Sequence, residues 1–144
     1  MLEVTGNRRK YIPLLLLGDE QEELVLAYID KGDLFALSDE DGQTLAVALV
    51  LPHPQGVELK NLAVTPERHG QGLGSALLTQ LFARYAGQWM FAGTGDVPSA
   101  LGFYRKNGFL DSHRIPNFFL DHYDHVIVED GIQLVDMVYL KRMC

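Results

Sequence analysis

Leu77, Leu78, Leu81, Phe82 and Tyr85 recur at the spacing of one buried helix face, with Thr79, Gln80 and Arg84 on the other side. That pattern predicts a helix from Gly72 to about Tyr85. Just upstream, the stretch from Val57 to Val64 alternates with a period of two and predicts a strand ending at the turn Thr65-Pro66-Glu67. Leu34 to Ser38 and Thr44 to Leu51 predict two more strands, joined by Asp39-Glu40-Asp41-Gly42. His53-Pro54-Gln55-Gly56 is the next turn.

The flanks are less regular. Glu3 and Val4 fit a short first strand, and the apolar run Tyr11 to Leu17, interrupted by Pro13, fits a short helix or turn. The acid-rich stretch from Asp19 to Glu23 suits the positive end of a helix running to about Ile29. Trp89 to Ala92 reads as a short buried strand. Asp96 is placed to cap a helix with Pro98 in its first turn, which Asn107-Gly108 ends. A strand follows over Phe109 to His113. Residues 114 to 131 read as irregular and polar, and Gln133 to Lys141 as a final strand. Without repeats or linkers, residues 1–144 are read as one mixed α/β domain with mostly hairpin-connected strands.

Between the strand and the helix lies Arg68-His69-Gly70-Gln71-Gly72-Leu73-Gly74-Ser75, with three alternating glycines. A strand, a glycine-rich loop and a helix start make a phosphate site. The loop offers backbone N–H groups, and the helix terminus adds unpaired donors and partial positive charge. Side chains at 70, 72 and 74 would block close approach or forbid the required φ values. A P-loop is excluded because no lysine follows the last glycine. A dinucleotide fingerprint fits poorly: its third glycine is one position early, although Asp96 stands near the expected acidic position.

Charge and composition narrow the partners. The net charge of −7 argues against a nucleic-acid surface and favours a cationic small molecule or basic peptide. With 47% hydrophobic residues but no run near the ~20 needed for a span, a soluble cytoplasmic protein is expected. The single cysteine, Cys144, rules out an internal disulfide. His122 and His125 lack a third ligand, so no metal is expected.

Val57 to Phe82 resembles the acetyl-CoA-binding core of the GNAT N-acetyltransferase superfamily, whose signature Gln/Arg-x-x-Gly-x-Gly/Ala falls on His69-Gly70-Gln71-Gly72-Leu73-Gly74. His69 departs from the usual first residue. A second block, Ala100-Leu101-Gly102-Phe103-Tyr104-Arg105-Lys106-Asn107-Gly108-Phe109, is similar to the family's Ala-x-x-x-Tyr-x-Lys-x-Gly-Phe segment. The similarity spans about residues 31 to 113. It implies the GNAT fold: a mixed, mostly antiparallel sheet of about six or seven strands flanked by about four helices. It also implies acetyl-CoA as co-substrate, gripped by the main chain of His69, Gly70, Gln71, Gly72, Leu73, Gly74 and Ser75. Leu62, Ala63 and Val64 would face the acetyl and pantetheine portions along a splayed or bulged strand. Val97 stands where the family often has Asn.

Acetyl transfer to an amine needs a base, an oxyanion site and an acid for the leaving thiolate. An alkyl amine of pKa near 10.4 is only about 0.04% neutral at pH 7. Glu58 is the candidate base because the resemblance implies it: five residues before Ala63, it falls where some family members carry a catalytic glutamate. Alternation puts it on one face with Lys60, Leu62 and Val64. Its bland alternative is a solvent-facing partner of Lys60. Tyr104 is the candidate acid, since the resemblance implies a tyrosine near the CoA sulfur; the alternative is an aromatic packed beside Phe103 and Phe109. The acids Asp111, Asp121, Asp124, Glu129, Asp130 and Asp136, with Phe118, Phe119 and Tyr123, suggest a mouth for a small cationic amine, the alternative being an ordinary solvated acidic loop. Protein lysines or N-termini as acceptors, and a non-catalytic CoA-thioester-binding module, are the alternatives. The sequence leaves a homodimer open.

Overall fold

The hairpin-rich order becomes a seven-stranded sheet with helices on both faces. The computed structural model describes residues 1–144. In chain order the elements are β1 (Leu2–Val4), α1 (Ile12–Gly18), α2 (Glu22–Tyr28), β2 (Asp33–Ser38), β3 (Thr44–His53), β4 (Gly56–Val64), α3 (Leu73–Arg84) and β5 (Trp89–Gly95). Then come α4 (Pro98–Lys106), β6 (Leu110–Ile115), α5 (Phe118–His122), β7 (Val128–Glu129), β8 (Ile132–Gln133) and β9 (Met137–Met143). The sheet order is β1-β2-β3-β4-β5-β9-β6, with β7 and β8 a separate hairpin. Every pairing is antiparallel except β4–β5, and α3 supplies the crossover a parallel pair requires.

Two cores sandwich the sheet. Leu77, Leu78 and Leu81 of α3 and Leu101 of α4 pack on one face, against Val57, Leu59 and Met90 among others. Leu15 of α1 and Val25 and Tyr28 of α2 pack on the opposite face, against Leu34, Val47 and Ala63. The three α3 leucines, fully buried, contribute roughly 1.5–3 kcal/mol each. That burial holds α3 down although its N-terminus has no side-chain cap.

A bulge in β4 corrects the alternation expected for Glu58. Leu49 pairs Asn61 while Val50 pairs Leu59, so Lys60 is an inserted residue. Beyond it the faces exchange. Leu62 and Val64 join the α3 side with Leu59, whereas Asn61 and Ala63 turn to the α1–α2 side. Glu58 and Lys60 therefore do not share a face with Leu62 and Val64.

Other differences are local. Asp96 does not cap α4; Val97 occupies that position without a side-chain bond, and Asp96 instead accepts from Arg114 at 2.8 Å. The segment read as irregular contains α5 and β7. The last predicted strand breaks at Leu134, which is buried against Val97 and Phe119. Asp19 follows the end of α1, and α2 begins only at Glu22.

Candidate active site

The parallel pair β4–β5 lasts only from Gly56–Trp89 to Leu59–Ala92. Beyond Leu59, β4 stays with β3 while β5 stays with β9, and the strands part. A cavity of about 840 Å³ lies at this gap, with lining residues from both faces of the sheet. The gap joins two chemically different walls.

One wall is the glycine loop. Gly70 and Gly72 have φ of +79° and +75°, and nothing lies within 4 Å of an added Cβ, so conformation alone requires glycine there. Gly74 is glycine for a different reason: a Cβ would sit 3.2 Å from the Phe103 ring. The first α3 hydrogen bond runs from the Ala76 N–H to the Gly72 carbonyl, leaving the N–H groups of Leu73, Gly74 and Ser75 without helical partners. No acidic residue occupies that first turn. Arg68 and Lys106 also line the cavity, and the Lys106 ammonium is 5.8 Å from the Phe103 ring. The departure at position 69 has a local role, since His69 Nε2 lies 2.9 Å from the Val64 carbonyl oxygen. Asn107 Nδ2 donates to Ser75 Oγ at 3.1 Å, tying α4 to the start of α3. Donors and positive charge converge, as a phosphate group requires.

Tyr104 lies on the lining from α4. Its ring meets Phe103 and Phe109 edge-on at 5.2 and 5.3 Å. Its hydroxyl makes no protein hydrogen bond, and burial, with Glu129 next, pushes its pKa up to about 12. It is therefore a protonated donor at any physiological pH.

The other wall is acidic and aromatic. Asp19 accepts from the Tyr28 hydroxyl at 3.1 Å and from the Tyr123 hydroxyl at 2.7 Å. Asn61 Nδ2 donates to Tyr28 Oη at 2.9 Å and to the Leu15 carbonyl at 2.8 Å. Glu58 Oε2 accepts from Tyr139 at 3.0 Å. The carboxyl of Glu129 is shifted upward, first by burial and then by Glu20 and Asp130. All three carboxylates line the cavity, and none belongs to an ion pair.

The acidic segment contributes less than its composition suggested. Of its six acids only Glu129 lines the cavity. Asp111 pairs with Arg105, Asp136 lies 3.6 Å from Arg114, and Asp130 accepts from Ser99. Asp124 holds His125, whose Nε2 is 3.7 Å from Glu20. His122 instead turns its Nδ1 to the Phe118 carbonyl, so the two histidines have separate partners. Phe118, Phe119 and Tyr123 do reach the cavity.

Among the candidate cofactor residues, Leu62, Val64, His69, Gly70, Gly72, Leu73, Gly74, Ser75 and Tyr104 line the cavity. Ala63 and Gln71 do not: Ala63 is packed toward α1 and α2, and Gln71 is exposed. Asp19, Tyr28, Asn61 and Tyr139 also line it, and nothing in the sequence pattern places them there. One available signal is Gly93, which with Gly95 extends the predicted strand at Trp89 to Ala92, where close approach of a neighbour is the usual reason for glycine.

Residues 30–110 match the family model described as Acetyltransferase (GNAT) domain, and the chain belongs to that family. An uncharacterized N-acetyltransferase of Bacillus subtilis (strain 168), YvbK, is 33% identical over 131 residues, covering 88% of this chain and 84% of that protein. A GNAT family acetyltransferase from Elizabethkingia anophelis, solved with acetyl-CoA bound, superposes with a TM-score of 0.91 at 29% identity, covering 99% of this chain and 96% of that one. A Bacillus subtilis acetyltransferase in complex with CoA gives a TM-score of 0.88 at 29% identity, covering 99% and 97%. No helix is long and apolar enough to cross a membrane.

Proposed function

We propose that the protein moves the acetyl group of acetyl-CoA directly to a primary amine of a small cationic acceptor. One observation carries this reading: a single cavity at the β4–β5 gap joins a phosphate-type loop to three carboxylates without ion-pair partners. The unpaired N–H groups at Leu73, Gly74 and Ser75 suit the CoA diphosphate, with Arg68 and Lys106 adding charge. The thioester then runs along Leu62 and Val64, where the second edge of β4 has no strand partner. Asp19, Glu129 and the surrounding aromatics attract a cation. Glu58 takes the amine proton, and the N–H groups of the open β4 edge stabilise the oxyanion.

Tyr104 assists the departing sulfur. A thiol has a pKa of about 8.5 against about 12 for Tyr104, so complete proton transfer is uphill by about 5 kcal/mol. Hydrogen-bond donation to the thiolate is the cheaper role. Tyr104→Phe is expected to lower kcat about tenfold, with KM for acetyl-CoA within about twofold. Steady-state thiol release checks this, and unchanged turnover removes Tyr104 from the reaction.

The reaction itself is tested by mixing the protein with acetyl-CoA and a panel of mono-, di- and polyamines and lysine peptides, following thiol release. Release that depends on a small cationic amine supports the proposal. Release with peptides alone transfers the activity to protein acceptors, and no release with any amine leaves a binding module.

A further inference from the structure

We infer that Tyr139 is the positioning residue that fixes Glu58 for proton removal, and that residue 93 is glycine so that Tyr139 can reach it. The inference rests on the reading of Glu58 as the base. Strand order makes the reach demanding, because β5 lies between β4 and β9. Glu58 pairs with Phe91, Phe91 with Lys141, and Gly93 with Tyr139. The Tyr139 side chain must therefore pass over β5 to meet β4. A Cβ on Gly93 would stand 2.9 Å from Tyr139 Cζ and 2.8 Å from Met137 Sδ. Gly93 is not among the positive-φ glycines, so close approach, not backbone conformation, selects it.

The contact is well made at both ends. Tyr139 Oη donates to Glu58 Oε2 at 3.0 Å, the one side-chain hydrogen bond Glu58 makes, leaving Oε1 free for an acceptor. Burial first, and Glu58 next, raise the Tyr139 pKa, so its hydroxyl remains a donor wherever an amine is acetylated. From the edge strand β6, His113 stacks flat on the Tyr139 ring at 4.8 Å and 3°. The ring is thus bounded by Gly93 on one side and His113 on the other. A glutamate has several rotatable bonds, and holding its carboxylate in one orientation favours the reactive geometry.

Tyr139→Phe keeps the ring and its stack and removes only the O–H group. The test compares wild type, Tyr139→Phe, Glu58→Gln and the double variant at saturating acetyl-CoA. Tyr139→Phe is expected to lower kcat about tenfold with KM for acetyl-CoA unchanged, and to change kcat less than about twofold when Glu58 is already glutamine. Equal losses in both backgrounds, or no loss in Tyr139→Phe while Glu58→Gln is impaired, overturn the positioning role alone. Full activity in Glu58→Gln overturns the base assignment itself, and the inference with it.

Discussion

Glu58→Gln is expected to lower kcat by about 10² to 10³, the largest single-residue effect on turnover in this molecule. The amine explains the size. At pH 7 about 0.04% of an alkyl amine is neutral, so a protein without a base waits for that fraction or for water to remove the proton. Glutamine keeps the shape of glutamate and still offers a carbonyl to the Tyr139 hydroxyl, so the local packing survives. Acetyl-CoA affinity should hold, because Glu58 lies on the α1–α2 side of β4 while the glycine loop opens on α3. The defect should shrink as pH rises toward the amine pKa of about 10.4, since solution then supplies the neutral nucleophile. Thiol release measured from pH 7 to 9.5 with one amine checks both parts. Equal kcat in variant and wild type would remove Glu58 from the chemistry.

Gly72→Val is expected to raise the dissociation constant for acetyl-CoA about 100-fold, or roughly 2.7 kcal/mol. At φ +75° a β-branched residue is strained, by roughly 1–2 kcal/mol, and the chain relieves the strain by rotating the peptide. Rotation swings the N–H groups at the start of α3 away from their common focus. Losing one or two hydrogen bonds to a charged group, about 1.5–3 kcal/mol each, accounts for the change. Folding should be largely intact, because an added Cβ meets nothing within 4 Å. Calorimetric titration of the variant is the check, with a thermal melt as control. Wild-type affinity would mean that the loop conformation does not matter to binding.

The glycine-loop wall of this cavity is legible in the sequence because it is local. The glycines, the strand before them and the α3 leucine stripe lie within one continuous stretch, and their spacing fixes both conformation and chemistry. The acidic, aromatic wall is assembled from distant pieces. Tyr123 meets Asp19 across 104 positions, and Tyr139 meets Glu58 across 81. No periodicity reports such pairs. The acidic segment misled for the complementary reason: composition counts charges, but Arg105 and Arg114 draw Asp111 and Asp136 away from the cavity. Glu58 is a candidate through the resemblance, and strict alternation puts it on the wrong face relative to Leu62 and Val64 because of the bulge at Lys60. A bulge inserts one residue without a sequence signature as strong as glycine, and every side chain after it changes sides. The resemblance to GNAT proteins carried a bulge or splay as an implication, where alternation alone predicts an unbroken ladder.

The most direct test of the account is calorimetric titration of the purified wild-type protein with CoA and, separately, with pantetheine, which lacks the diphosphate. One CoA is expected to bind per chain, with at least about 100-fold weaker uptake of pantetheine. No CoA binding, or equal affinity for the two, would contradict it.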